Sequence, residues 1–153
     1  MKINLEINNE AGSPVRKIFF SRVASGTFRS CGCDFLKEKN INISIALVEP
    51  EKIKKLNRIY RKKNSVTNVL SFPEYKSRDT LKKSEDRSIF LGELIICYDD
   101  VEKYCQKRKI NVKEELAKVV SHGILHLLGF RHGKKMFGIQ KGRDKKHKLI
   151  KND

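Results

Sequence analysis

No stretch of this sequence is apolar over the roughly 18 residues that a membrane-spanning helix requires. The first ten residues, MKINLEINNE, also lack the apolar core of a secretory signal peptide. The chain has only three prolines, which excludes a proline-rich linker or a collagen-like chain. We therefore expect a globular cytoplasmic protein without membrane contact. Its 153 residues suffice for one domain with an ordinary hydrophobic core.

Cysteine is also scarce, with four residues at positions 31, 33, 97 and 105. A thiolate zinc site needs two closely spaced pairs, and the pair formed by Cys31 and Cys33 has no second pair to complete it. Thiols of cytoplasmic proteins are kept reduced. We therefore predict that all four cysteines are reduced and structural.

Acidic residues are too few to balance the basic ones, because 18 Asp and Glu stand against 34 Lys and Arg and leave a formal charge of +16. A polyanion is the expected partner of such a chain. The alternative is a basic surface that is merely solvated. The densest basic segment, residues 52–63, contains no acidic residue and includes Lys52, Lys54, Lys55, Arg58, Arg61, Lys62 and Lys63.

Hydrophobic periodicity predicts a chain in which strands and helices alternate. Strands are predicted near residues 3–8, 42–48, 69–72 and 89–97. Helices are predicted near residues 14–30, 50–63, 99–108 and 111–128. The polar segment between the last two strands is predicted to be a long loop, either mobile or functional, over residues 74–88.

A single domain is expected over residues 1–133, since neither a linker nor an internal repeat interrupts them. The remaining residues, 134–153, form a basic C-terminal tail with eight Lys or Arg and two Asp. So few apolar residues in a charged segment predict a tail that is partly helical or disordered.

Two histidines lie four residues apart in the predicted helix 111–128, so His122 and His126 share one helix face. Gly129 tolerates the left-handed turn that ends a helix, and the reversed chain can return His132 to the same point. Three neutral imidazoles leave one position of a tetrahedral zinc open for water, as in catalytic sites. The spacing therefore predicts one zinc ion per chain, held by His122, His126 and His132. An isolated core histidine would merely satisfy a hydrogen bond, but three at this spacing favour a metal.

The spacing of these histidines equals that of the metzincin proteases, whose signature places a glutamate after the first histidine. This chain has Gly123 there, so that position supplies no general base. Together with the basic charge, the glycine disfavours the hydrolysis of peptides or small molecules.

Four blocks in this order resemble the YbeY family of ribosomal RNA maturation endoribonucleases. They are Leu56-Asn57 with Tyr60-Arg61, the run TNVLSFP at 67–73, the run LGELIIC at 91–97, and the histidine run HGILHLLGFRH at 122–132. The blocks extend over about half of the chain, and together they are highly specific.

The resemblance implies an α+β fold in which a mixed four-stranded sheet packs with about five helices, the central buried helix carrying two of three metal-binding histidines. It also implies zinc-dependent cleavage of single-stranded RNA in ribosomal RNA processing and ribosome quality control. The implied partners are rRNA precursors, with a ribosomal subunit or ribosomal proteins as further candidates. Carried over by residue, the ligands are His122, His126 and His132, and the catalytic arginine is Arg61. Arg58 is the less supported alternative.

Some residues depart from the family pattern or have no assigned role. Arg131 stands where the family usually has aspartate, beside the third histidine. Ser71 and Glu93 are able to polarise water or orient a ligand, but strand packing and a salt bridge at the sheet edge explain them equally well. The alternative function is a non-catalytic RNA-binding ribosome-assembly factor with a structural metal.

Overall fold

The computed structural model describes residues 1–131, and the C-terminal residues 132–153 lie outside the described part of the chain. The predicted tail 134–153 and the predicted ligand His132 therefore also lie outside it. The elements are β1 Lys2–Asn9, α1 Lys17–Ser30, β2 Asn40–Leu47, α2 Pro50–Arg61, β3 Val69–Pro73, α3 Arg78–Lys82, β4 Ser88–Ile96, α4 Tyr98–Arg108 and α5 Val112–Leu127, with a short 3₁₀ turn at Asp34–Leu36.

The four strands form one sheet in the order β1-β2-β4-β3. β1 and β4 pair with β2 in parallel, whereas β3 pairs with β4 antiparallel. The central strands β2 and β4 are rich in isoleucine, a β-branched residue that favours the pleated sheet. Residues 1–131 thus confirm the α+β fold, with a mixed four-stranded sheet and five α-helices among them.

The hydrophobic core lies on both faces of the sheet. Its larger part packs α1 and α5 against one face, and a smaller cluster packs α2 around Ile53 against the other. α5 is the central helix, because it also contacts α4 and both β3 and β4. No helix within residues 1–131 is long and apolar enough to span a membrane. The buried residues of α5 are Leu116, Ala117, Val119, Val120, Ser121, Gly123, Ile124, Leu125 and Leu127.

The segment 74–88 is not the structureless loop that the sequence predicts, because it contains the short helix α3. The hydroxyl oxygen of Ser77 accepts the N–H of Thr80 and caps this helix. Leu81 lies in the core with 1% of its surface exposed. One apolar residue among polar neighbours gives too little periodicity to predict a helix, but its burial fixes the segment on the domain.

Two further predictions differ from the structure. Helix α1 begins at Lys17 rather than at Pro14. The prediction that all four cysteines are reduced is wrong for Cys31 and Cys33, which form a disulfide with Cα atoms 5.4 Å apart, a separation that such bonds allow. Cys97 and Cys105 are free and buried, as expected of structural thiols.

Candidate metal centre and basic surface

The two histidines of α5 meet as their spacing predicts. The helix begins after Asn111, whose side-chain oxygen accepts the N–H of Glu114, and runs without interruption through both positions. The Nε2 atoms of His122 and His126 lie 3.0 Å apart, and both rings are half-buried. Helical periodicity alone accounts for this pairing.

The separation of these nitrogens fits a shared metal ion. A zinc–nitrogen bond measures about 2.0–2.1 Å, so one ion can contact two nitrogens that lie less than about 4 Å apart. The 3.0 Å between the Nε2 atoms of His122 and His126 meets this condition. Residues 1–131 contain no group of three or more metal-ligating side chains, and the third predicted ligand, His132, lies outside them.

Gly123 follows the first histidine and packs against the sheet. A Cβ atom at this position would lie 2.9 Å from Cδ2 of Leu94 on β4 and 3.4 Å from Oγ of Ser71 on β3. No side chain fits there without displacing Leu94, which is fully buried. The structure therefore gives a steric reason why this position holds no glutamate. It also brings Ser71 into contact range of the helix that carries the histidines.

Arg61 is held beside the same strand. It is the last residue of α2, and its Nη2 donates a hydrogen bond to the backbone carbonyl of Ser71 at 3.0 Å. Its neighbour Tyr60 packs edge-on against the ring of Phe72 with centroids 5.2 Å apart. Two successive residues of α2 thus contact two successive residues of β3. Arg58 is exposed and makes no hydrogen bond or ion pair among residues 1–131.

Asn57 fixes the end of α2, a role that sequence reasoning missed. Its carbonyl accepts the N–H of Lys62, which adopts the left-handed conformation at φ 57°. Its side-chain amide donates to the carbonyl of Ser65 at 2.9 Å, and its side chain is buried. A single asparagine in a basic helix gives no periodic signal. Its buried amide holds the connection that leads from Arg61 to β3.

The α5 helix ends in a closed turn. The N–H of Gly129 bonds to the carbonyl of His126, and the N–H of Phe130 bonds to the carbonyl of Leu125, each at 3.0 Å. With Gly129 at φ +84°, these bonds form a Schellman motif, which confirms the predicted left-handed turn. Arg131, two residues after this glycine, is exposed.

The basic residues of α2 line a surface groove. Its walls are formed by Glu51, Lys52, Lys54, Lys55, Leu56, Arg58 and Asn64. Lys52 forms an ion pair with Glu10 of the β1 end, whereas Lys54, Lys55 and Arg58 have no ion pair within residues 1–131. Lys54, Arg58 and Arg61 follow one another at spacings of four and three residues, so they form one stripe along the helix. This stripe joins the groove to the strand beside the histidines.

Glu93 does not form the salt bridge at the sheet edge that the sequence suggests. It lies on β4, an interior strand, opposite Phe72 of β3. Its side chain is half-buried and makes no ion pair in the described part of the chain.

Comparison with known proteins finds curated relatives that carry the same name. Residues 6–149 match the family model described as Endoribonuclease YbeY. A protein of that name from Wigglesworthia glossinidia brevipalpis is 38% identical over 99 residues, which cover 64% of this chain and 61% of the relative. One from Acinetobacter baumannii is 32% identical over 135 residues, covering 86% of this chain and 82% of the relative.

The chain spans about three fifths of the length of the first curated relatives that it matches. The solution structure of a Thermotoga maritima protein superimposes with a TM-score of 0.58 at 25% identity, over 92% of this chain and 85% of that one. The matched sequence includes the paired histidines of α5, Arg61 and the strands that hold them. The chain therefore belongs to the YbeY family.

Proposed function

We propose that this protein is a zinc-dependent endoribonuclease that cleaves single-stranded RNA in ribosomal RNA processing and ribosome quality control. The observation that carries the proposal is the pair of imidazole nitrogens on α5, 3.0 Å apart. The relatives named Endoribonuclease YbeY support RNA as the substrate. His132, two residues beyond Phe130 in the sequence, completes the proposed ligand set.

His122, His126 and His132 would hold the zinc ion, which would supply a Lewis acid and activate water near neutral pH. The chain's own contribution is the placement of the first two ligands on one rigid helix, where the cap at Asn111 and the packing of Gly123 fix them. Neutral imidazole ligands leave the positive charge of the ion uncompensated, which suits an anionic phosphodiester.

Arg61 is proposed as the catalytic arginine that grips the phosphate. A guanidinium has five N–H donors, and one of them is committed to the carbonyl of Ser71. The group is therefore oriented before substrate binds, while its remaining donors can reach two phosphate oxygens. Donors that are already oriented stabilise the charge of the transition state without a reorganisation cost.

The groove along α2 is proposed to hold the RNA strand next to the cleaved bond. Lys54, Lys55 and Arg58 supply positive charges that no carboxylate within residues 1–131 neutralises. Single-stranded nucleic acids bind in basic grooves of this kind, mainly through the backbone and with strong salt dependence. We place the protein in the cytoplasm, with rRNA precursors as substrate and a ribosomal subunit or ribosomal proteins as further partners.

The test combines metal analysis with cleavage of a labelled single-stranded RNA by the full chain, with and without a chelator. We expect one zinc per chain and cleavage that the chelator abolishes. His126→Ala should lose zinc and cleavage together, whereas Lys107→Ala, an exposed residue of α4, should retain both. One equivalent of zinc in His126→Ala would show that the ligand set is wrong.

The second candidate is a non-catalytic RNA-binding assembly factor with a structural metal. The formal charge of +16 favours it, because charge alone provides RNA affinity. Zinc binding and RNA binding without cleavage, in the same experiment, would select this function over the enzymatic one.

A further inference from the structure

Arg78, the first residue of α3, lies against the turn that ends α5. A Cβ atom on Gly129 would lie 2.6 Å from the backbone nitrogen of Arg78 and 2.9 Å from its Cα. The glycine is therefore required both for its positive φ and for this close approach. Segment 74–88 is seated directly on the turn that follows the second histidine.

The guanidinium of Arg78 contacts two aromatic rings. Its Cζ lies 4.1 Å from the ring centroid of Phe130 and 5.3 Å from that of Phe35, within the range of cation–π interactions. Its Nη2 donates to Sγ of Cys33 at 3.7 Å. Burial lowers the pKa of Arg78 from its ordinary value, but an arginine stays protonated at neutral pH. The residue thus connects α3, the Cys33 turn and the end of α5 through one planar cation.

No substrate role accounts for this packing. Nη1 of Arg78 is buried and has no hydrogen-bond partner within residues 1–131. A donor in this state does not face solvent, where a phosphate would approach. Its face-on contact with Phe130 partly compensates the lost hydration. The geometry is that of a side chain that holds Phe130 in place.

We propose that Arg78 is a positioning residue for the third metal ligand. Phe130 is fixed on one side by the Schellman hydrogen bond to Leu125 and on the other by the Arg78 guanidinium. The chain then has only Arg131 between Phe130 and His132. At this sequence distance, fixing Phe130 would limit the positions open to the proposed third ligand. A ligand that is restricted before binding loses less conformational entropy when the ion binds, so zinc affinity rises.

This inference rests on the proposed zinc site, and its test measures zinc affinity by chelator competition rather than RNA cleavage. Residues that orient metal ligands typically change affinity about 10–100-fold when replaced. We expect Arg78→Ala to weaken zinc binding on the order of 10-fold while the variant stays folded by circular dichroism. Simple destabilisation would lower the melting temperature but leave the zinc affinity of the folded molecules unchanged.

Lys82→Ala is the matched control, because Lys82 lies on the same helix and its cation–π contact is with Phe35, with its Nζ 5.6 Å from the ring centroid. We expect its zinc affinity to stay within about twofold of the wild type. Phe130→Ala removes the same contact from the other side, and it serves if Arg78→Ala fails to fold. Phe130→Ala should weaken zinc binding to a similar extent. The zinc affinity of the double variant should be no lower than that of the single variant with the lower affinity.

The outcomes separate this inference from the proposed function. Zinc binding by the wild type with unchanged affinity in Arg78→Ala or Phe130→Ala would overturn the positioning role alone. Additive losses in the double variant would also overturn it, because the two residues would then act independently. A wild-type chain that binds no zinc would overturn the proposed zinc site and this inference together.

Discussion

Replacing Gly123 by alanine tests the packing between the histidine helix and the sheet. In an exposed helix this change is stabilising by about 1 kcal/mol, because alanine loses less backbone entropy than glycine on folding. In α5 the added methyl would lie 2.9 Å and 3.2 Å from the two terminal methyls of Leu94. Carbon atoms in contact lie about 3.5–4.0 Å apart, so Leu94 must move.

The cost of that movement decides whether Gly123→Ala stabilises or destabilises the protein. Leu94 is fully buried, so its methyls can move only into other core atoms. Overpacking a core by one methyl typically costs about 1–3 kcal/mol. Subtracting the helical gain of about 1 kcal/mol leaves a net destabilisation of about 1 kcal/mol. For a chain of 153 residues, this lowers the melting temperature by about 2–4 °C.

The measurement is thermal unfolding with a chelator present, so that zinc affinity does not contribute. A double variant separates the two effects, because Leu94→Ala removes the atoms that the new methyl would strike. In the Leu94→Ala background, Gly123→Ala should therefore raise the melting temperature, although Leu94→Ala by itself costs about 2–5 kcal/mol. A stabilising Gly123→Ala in the wild-type background, or an equal loss in both backgrounds, would refute the steric argument.

Three further predictions follow from the site and its surroundings. Arg61→Ala should keep zinc and fold but lower the cleavage rate about 10²–10³-fold, as for the loss of one oriented donor. Arg58→Ala should mainly weaken RNA binding. The reverse result in single-turnover assays would exchange the roles of the two arginines. RNA affinity should fall steeply from low to physiological salt, and the log–log slope of affinity against salt concentration should steepen by about 0.7 for each neutralised phosphate. Lys54→Gln should make this slope shallower. An affinity that does not change with salt would exclude electrostatic binding. Burial raises the pKa of the Cys97 thiol above its ordinary value of 9.0, so the stability that the neutral thiol contributes is fully present below about pH 9 and is lost as the pH rises further. The free energy of unfolding of Cys97→Ala should therefore fall less steeply than that of the wild type between pH 8 and about pH 10. An unchanged slope would show that this thiol does not contribute.

The family model and the curated relatives confirm the family that the sequence motifs predict. The paired histidines could be predicted because a four-residue spacing on a helix has one geometric outcome. The strands and most helices were predictable for the same reason, since each has a period that local sequence carries.

Contacts between distant segments have no such local signal. The hydrogen bond from Arg61 to the Ser71 carbonyl uses a backbone atom, which every residue possesses, so no residue type marks it in the sequence. The Cys31–Cys33 disulfide contradicts a prediction based on cellular compartment, because the turn between α1 and the 3₁₀ segment brings the two cysteines together. The sequence predicts a loop at segment 74–88 because its packing residues, Arg78 and Leu81, find partners only across the fold.

Local sequence is sufficient for the elements other than α3, for the α5 histidine pair and for the left-handed turn at Gly129, because each depends on residues close together in the chain, and composition gives the excess of basic charge. The packing of Gly123 against Leu94, the anchoring of Arg61 on β3 and the contact of Arg78 with the turn after the second histidine arise only in the folded domain. These contacts join residues from 10 to about 50 positions apart. They form when the core packs, and the burial of apolar surface, rather than local backbone preference, brings such residues together.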